Sequence, residues 1–364
     1  MICFRCGSDV LEGSERCHNC GQVLQGHREL KQTVTTFRAL ELRRLRGSQR
    51  EDIRPYDVGD LIGELYAVVD YAGHGPLAHV YRCHDRATGL DMAINVVHPE
   101  LVELGGAAAQ LTKTLGEFAE TPVDGLLNYQ VTRDAEKVIC LTRFIGGFSL
   151  RKLMDLRRNR DQRFSLDEIE PRVTQVMAIL KDAHDLGVHG ALKPSNIMLQ
   201  PDRIHLTEFG FFDAFPRSLF VDAQSAVGTH LHIAPEVRHG ELADSRADVY
   251  SLGTVIYELL TGLPYEPDAP KISEVLSSDG DGRWQALQDF VDCAVCAERS
   301  GRFPDVATME TAFLECLSKQ DEVNAALGNL ESDNIQDTAA FALAGIPVAR
   351  QSENVADGTQ KLVI

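Results

Sequence analysis

The sequence predicts an α+β protein in which a small β-rich lobe precedes a larger helical lobe, with a small metal-binding module at the amino terminus. Three observations lead to this prediction. Alternating, β-branched stretches joined by glycine-rich turns occupy residues 63–97. Residues 165–187 and 248–262 instead place apolar side chains at three- and four-residue spacing, as helices do. Four of the nine cysteines lie within the first 20 residues.

The composition is that of an ordinary globular protein of one or two domains, with 364 residues, 44% hydrophobic and 25% charged. No apolar run approaches the roughly 18–20 residues that span a bilayer. The amino terminus, MICFRCG, lacks the pattern of a signal peptide. We therefore expect a cytoplasmic protein without a membrane segment. The net charge of −18 does not favour binding to a nucleic acid backbone, although residues 1–50 alone carry nine basic and five acidic side chains.

Residues 1–26 contain two CxxC pairs, and each pair is followed by a glycine. Two residues between cysteines let one tight turn direct both sulfurs at the same ion, and four sulfurs complete a structural Zn²⁺ site. The predicted ligands are Cys3, Cys6, Cys17 and Cys20. The pattern resembles a zinc ribbon; a disulfide pair, idle thiols or iron are the alternatives. Because the site has no open coordination position, we expect it to serve recognition or architecture.

Two segments of weaker pattern flank the body of the chain. Residues 27–58 predict a linker, with loosely helical spacing that breaks at Gly47. Residues 319–364 carry seven acidic and three basic side chains without periodicity, and predict a disordered tail. A docking peptide within AAFALAGIPVA is the alternative for this tail.

The body, residues 59–318, contains a series of short motifs in a fixed order. They are GHGPLAHV at 73–80, MAIN at 92–95, HGALKPSN at 189–196, EFG at 208–210, APE at 234–236 and DVYSLG at 248–253. In this order the motifs resemble those of a bacterial Ser/Thr protein kinase domain. The glycine-rich motif alone would be weak, because Ala78 replaces its third glycine. The whole series of motifs in this order is specific evidence for the resemblance.

The resemblance implies a bilobal fold with a nucleotide cleft between the lobes. The residues that it places against ATP are Gly73, Gly75, Val80, Ala93, Thr142, Phe144, Asn196 and Glu208. It also implies that Lys193 is retained in the catalytic loop and that Glu236 pairs with Arg302.

Three positions depart from the kinase pattern where charge is handled. Asn95 replaces the lysine that neutralises the α- and β-phosphates, and Ala191 replaces the base that accepts the proton of the substrate hydroxyl. A positioned base is typically worth about 10²–10⁴ in rate. Glu208 keeps a carboxylate but adds a methylene beside Mg²⁺, which demands near-ideal geometry. ATP and Mg²⁺ are therefore only candidate cofactors.

Two further positions support the same interpretation. The lysine's acid partner on helix C should fall near Thr112, where no acid occurs. Gly190 replaces an arginine that binds an activation-loop phosphate, so Ser218, Ser225 and Thr229 would have no such phosphate switch.

Together these residues predict a pseudokinase that acts as a binding, scaffold or regulatory module in signalling, with protein partners at the ribbon and the kinase-like lobe. A nucleic-acid partner is not favoured, because Phe4 is the only aromatic residue of the ribbon. Nucleotide binding could be retained as an allosteric switch without catalysis. The alternative is an atypical active Ser/Thr kinase that transfers the γ-phosphate of ATP to protein hydroxyls. Such a kinase would need a substitute lysine, for which Lys113 and Lys137 are the candidates.

Overall fold

The computed structural model describes residues 54–103, 106–276 and 283–317. The four ribbon cysteines, most of the predicted linker and the predicted tail lie outside the described residues. Within the described ranges, no helix combines the length and the apolar character needed to cross a membrane.

The small lobe is a six-stranded antiparallel sheet. Its strands are β1 (Leu61–Ile62), β2 (Tyr66–His74), β3 (Ala78–Asp85), β4 (Asp91–Val97), β5 (Gln130–Asp134) and β6 (Lys137–Arg143). Their order across the sheet is β1-β2-β3-β4-β6-β5. The alternating stretch of the sequence, residues 63–97, thus forms β2, β3 and β4.

Alternation along β4 sends its side chains to two different faces. Ile94 and Val96 pack in a cluster confined to the small lobe, which also contains Tyr56 from before the predicted start of the domain. Val97 belongs to the main hydrophobic core. Asn95 shares the face of Val97, and this face borders the cleft described below.

Two helices follow β4, namely α1 (Pro99–Val102) and α2 (Ala107–Glu120). Helix α2 is amphipathic, with Leu111, Thr114 and Leu115 on its buried face. This helix occupies the position of the predicted helix C.

The large lobe is mainly helical. It contains a three-stranded sheet of β7 (Phe148–Ser149), β8 (Ile197–Leu199) and β9 (Ile204–Leu206). Its α-helices are α3 (Leu150–Arg158), α4 (Leu166–Ala183), α5 (Phe211–Ala214), α6 (Arg217–Ala226), α7 (Pro235–Arg238), α8 (Ser245–Thr261), α9 (Ile272–Val275) and α10 (Arg283–Ala294). Residues 306–317 are also helical. Short 3₁₀ turns cover Pro194–Asn196, Thr229–His232 and Arg299–Gly301. The predicted small β-rich lobe and larger helical lobe are therefore confirmed, although two helices precede β5 and three strands lie in the large lobe.

Local sequence signals explain where the principal helices begin and end. Ser165 and Glu168 form a capping box at the start of α4. Asp244 caps α8 by accepting a hydrogen bond from the Arg246 backbone N–H, and Gly262 ends α8 in the left-handed conformation, with φ of 76°. All residues from 247 to 261 are buried, so α8 is the central helix of this lobe.

Candidate functional site

A cleft of about 350 Å³ lies between the glycine-rich turn, the sheet of the small lobe and the 189–208 region of the large lobe. This volume is within the range of small-molecule sites. The structure brings all the predicted nucleotide contacts together in its lining, namely Gly73, Gly75, Val80, Ala93, Thr142, Phe144, Asn196 and Glu208.

The glycine-rich turn joins β2 to β3 and covers one side of the cleft. Gly73 has φ of 132°, a conformation that side chains rarely adopt. The Gly75 N–H donates to the Ala78 carbonyl at 2.8 Å, which closes the turn. A ring nitrogen of His98 lies 3.0 Å from the Gly75 carbonyl oxygen. Sequence reasoning did not predict His98, because it follows β4 and is 23 residues away.

Asn95 lines the cleft at the position of the missing lysine. Its side-chain amide donates to the Cys140 carbonyl on β6 at 3.1 Å. This hydrogen bond follows from the register, because Asn95 lies directly opposite Cys140 in the β4–β6 ladder. The residue therefore contributes to the sheet as well as to the cleft wall.

The sequence places the family's helix-C acid near Thr112 and shows no acid there. Thr112 is exposed, and its hydroxyl donates to the Ala108 carbonyl of its own helix at 2.9 Å. The α2 side chains that enter the core are instead Leu111, Thr114 and Leu115. The buried face of α2 thus presents no carboxylate.

Neither candidate for a substitute lysine lines the cleft. Lys113 is exposed on α2 and pairs with Glu117 at 3.8 Å. The Lys137 ammonium lies 4.7 Å from the centroid of the Tyr56 ring. The cation that does reach the cleft from the catalytic loop is Lys193, which is 2% exposed.

Lys193 is a buried cation in the lining of the cleft. Its ammonium lies 3.7 Å from a carboxylate oxygen of Glu208. It also donates to the side-chain carbonyl of Gln224 at 2.8 Å. Burial lowers the pKa of Lys193, and the negative charge of Glu208 opposes this shift.

Glu208 is held from several sides. The Asn196 amide donates to its carboxylate at 3.0 Å, and its own backbone N–H donates to the Tyr129 hydroxyl at 3.2 Å. Its φ is 63°, a region that non-glycine residues visit rarely and at a cost. Carboxylate and amide oxygens are ligand types that Mg²⁺ accepts, so Glu208 and Asn196 suit the ion that the family uses.

Ala191 is 3% exposed and does not reach the cleft surface. Of the described residues that line the cleft, Glu208 alone has a carboxylate, and it is already bound to Asn196 and Lys193. The described lining therefore offers the cations Lys193 and Arg143, amides and hydroxyls to a ligand, but no unengaged carboxylate to remove a proton.

The segment after EFG is folded against the catalytic loop. A Cβ atom on Gly190 would lie 2.3 Å from the Phe212 ring, so Phe212 fills the space in which an arginine side chain would begin. Ser218 and Ser225 are exposed on α6, and the Thr229 hydroxyl donates to the Gln224 side chain at 2.6 Å. Sequence reasoning did not predict Phe212 or Gln224, because no motif marks either residue.

Comparison with known proteins agrees with this geometry. The family model described as "Protein kinase domain" matches residues 66–278. A probable serine/threonine-protein kinase of Clostridium acetobutylicum is 26% identical over 309 residues, covering 82% of this chain and 44% of the relative. The probable serine/threonine-protein kinase PknB of Lactococcus lactis is 23% identical, covering 70% of this chain and 42% of the relative. The chain thus spans less than half the length of these curated relatives.

Solved structures show the same fold. The kinase domain of Mycobacterium tuberculosis PknI superposes with a TM-score of 0.57 at 20% identity, covering 72% of this chain and all of that chain. The apo form of PpkA-294 gives a TM-score of 0.55 at 19% identity, covering 71% of this chain and 99% of that chain. The predicted resemblance is therefore confirmed at the level of fold and family: the chain belongs to the protein kinase domain family and is similar to bacterial Ser/Thr kinases.

Proposed function

We propose that this chain is a catalytically impaired member of the family, a pseudokinase, that acts as a binding, scaffold or regulatory module in signalling. The observation that carries the proposal is the absence of a base. Ala191 replaces it, and the one carboxylate among the described lining residues is engaged by Lys193 and Asn196. The protein partners and cytoplasmic location expected from the sequence belong to the same proposal.

Phosphate handling is reduced in the same cleft. Kinase catalysis depends on positioning and on charge stabilisation around the transferred phosphoryl group. Asn95 offers no charge, and its amide is committed to the Cys140 carbonyl. Lys193 remains, and the cleft has the volume of a small-molecule site. We therefore propose that a nucleotide still binds, with Glu208 and Asn196 as the residues that would hold Mg²⁺.

An atypical active Ser/Thr kinase is the second candidate. It is favoured by the similar bacterial proteins, which are named as serine/threonine-protein kinases. It is also favoured by Lys193, Asn196 and Glu208, which keep a cation and potential metal ligands in the cleft. This candidate lacks a substitute lysine, because Lys113 and Lys137 do not line the cleft.

A phosphotransfer assay with matched variants separates the two candidates. The purified chain is incubated with Mg²⁺ and radiolabelled ATP, alone and with a general protein substrate, beside Glu208→Ala. We expect the same background signal from both proteins, because no base or phosphate-anchoring lysine is present. Transfer by the unmodified chain that is lost in Glu208→Ala would establish the active kinase instead.

Nucleotide binding is tested separately by a thermal-shift titration with ATP, first with Mg²⁺ and then with EDTA. A ligand that binds only the folded state raises the melting temperature by mass action. We expect a rise with ATP. An unchanged melting temperature at millimolar ATP would contradict nucleotide binding and leave protein contacts as the remaining role of this domain.

The zinc ribbon remains a proposal, because its residues lie outside the described ranges. Within those ranges, no group of three or more His, Cys, Asp or Glu side chains is arranged to hold a metal. Elemental analysis of the purified chain should therefore find one zinc, held by Cys3, Cys6, Cys17 and Cys20. We expect Cys17→Ser to abolish or strongly reduce stable zinc binding. A metal-free chain with linked cysteines would instead support the disulfide alternative.

A further inference from the structure

Gln224 is a fully buried side chain of α6 that reaches the catalytic loop. Its side-chain carbonyl accepts hydrogen bonds from the Lys193 ammonium at 2.8 Å and from the Thr229 hydroxyl at 2.6 Å. Both partners donate, so the amide oxygen must face them. The amide nitrogen of Gln224 has no hydrogen-bond partner among the described atoms. The oxygen is therefore the part of the side chain that the site uses.

The Gln224 oxygen accepts a hydrogen bond from the buried Lys193 ammonium, which would be costly to leave without an acceptor. Lys193 is 2% exposed, and a buried ammonium needs acceptors at hydrogen-bond distance. Glu208, at 3.7 Å, is too far for a good hydrogen bond. Gln224 thus supplies the close acceptor for Lys193.

The resemblance places the family's base at position 191, two residues before Lys193 in the same loop. Ala191 supplies no side-chain acceptor there, and α6 provides one for Lys193 from 31 residues away.

Aromatic packing fixes the same segment at a second point. Phe212 occupies the space beside Gly190, and its ring packs edge-on against Phe220 of α6 at 5.5 Å. The guanidinium of Arg217 lies 4.8 Å from the Phe212 ring centroid and donates to the Glu241 carbonyl. Arg217 is 1% exposed as a result, so its exposure reports on whether the segment is closed.

We propose that Gln224 is a positioning residue that replaces the missing acid as the partner of Lys193 and thereby latches the activation segment, residues 211–229, onto the catalytic loop. Closure of the segment then depends on an internal amide and not on a phosphorylated hydroxyl. The inference rests on the proposed function in one respect, namely that Ala191 stands in place of the family's acid.

The test is limited trypsin digestion without nucleotide, following cleavage after Arg217 by mass spectrometry. Cleavage of a transiently opened segment reports its open population. We expect Gln224→Leu to raise the cleavage rate by about tenfold to a hundredfold, the factor that a hydrogen bond to a charged group is worth. Gln224→Glu keeps the acceptor oxygens and should leave Arg217 protected. Ala191→Asp, added to Gln224→Leu, should not restore protection, because residue 191 belongs to the catalytic loop itself and does not link that loop to α6.

Gln288→Leu is the matched control. Gln288 is also buried, but its side-chain oxygen accepts from the Ile272 backbone N–H in another part of the large lobe. This variant should not accelerate cleavage after Arg217. Equal acceleration in both leucine variants, or none in Gln224→Leu, would overturn the latch. Restored protection in the double variant Ala191→Asp/Gln224→Leu would also overturn the latch, because closure would then need only an acceptor for Lys193 and not the bond to α6. None of these outcomes depends on ATP binding or phosphotransfer, so the latch can fail independently of the proposed function.

Discussion

The large lobe contains charged pairs that are almost fully buried, whereas two positions at and beside the cleft carry neutral side chains in place of the charges of the kinase pattern. In the large lobe, Arg302 and Glu236 form two parallel hydrogen bonds of 2.7 Å, with the side chains 0% and 5% exposed. Asp248 accepts from the backbone N–H groups of His189 and Gly190, each at 2.8 Å. By contrast, two positions that carry charge in the kinase pattern are neutral here, with an amide at Asn95 in the cleft wall and a methyl group at Ala191 in the catalytic loop.

This contrast separates the stability of the fold from the chemistry of the family. A buried ion pair is expensive to break, because removing one partner strands the other without water. A neutral side chain in a partly open cleft has no such dependence. The large lobe can therefore hold the catalytic loop in shape whether or not positions 95 and 191 carry charged side chains.

The largest effect should come from breaking the Arg302–Glu236 pair. We expect Glu236→Gln to lower the free energy of unfolding by about 3 kcal/mol or more, because Arg302 is left buried without its counter-charge. Urea denaturation measures the change. Glu117→Gln is the control, since its pair with Lys113 is exposed and should be worth less than about 1 kcal/mol. Similar losses in both variants would remove the basis of the comparison.

An intermediate effect should appear in the pH dependence of stability, through His232. Burial lowers the pKa of His232 from 6.5 to about 4, with Glu258 opposing the shift and Arg151 and Lys193 adding to it. Between pH 6.5 and 4 the unfolded chain binds the extra proton, so stability falls as the pH falls. This contribution is complete above pH 6.5.

The measurement compares the original chain with His232→Gln at pH 7 and pH 4.5. On acidification, the free energy of unfolding of the original chain should fall by roughly 2 kcal/mol more than that of the variant. The reason is that the original chain has a buried His232 that must stay neutral in the folded state, whereas the variant has none. A glutamine can keep a hydrogen bond with Thr254, which lies 2.8 Å from the His232 ring. Parallel loss in the two proteins would show that His232 is not kept neutral by burial.

The sequence predicted what depends on motif order and missed what depends on contacts between distant segments. The order of motifs predicted both lobes and the Glu236–Arg302 pair, which the structure confirms. Spacing could not give the rotation of α2, so the sequence did not show that Thr112 is exposed and that Leu111 and Leu115 face the core. Gln224 meets Lys193 across 31 residues, and no periodic pattern marks that contact.

The same limit applies to Asn95. The sequence identified Asn95 as a replacement for lysine, but it did not show that the Asn95 amide donates to the Cys140 carbonyl. This hydrogen bond depends on which residues β4 and β6 place opposite each other. Local pattern does not determine a pairing between strands that are separated in the chain. The strands could thus be predicted, whereas the hydrogen bond between Asn95 and Cys140 could not.

The smallest effect should come from the cleft itself. Asn95→Val removes the amide bond to the Cys140 carbonyl but introduces a β-branched side chain that suits a strand. We expect the free energy of unfolding to fall by about 1 kcal/mol or less, the typical worth of one neutral hydrogen bond. Urea denaturation beside Glu236→Gln gives the comparison directly. A loss as large as that of Glu236→Gln would mean that Asn95 holds the small lobe together. The cleft would then have exchanged its lysine for a structural residue and would not simply have lost a catalytic group.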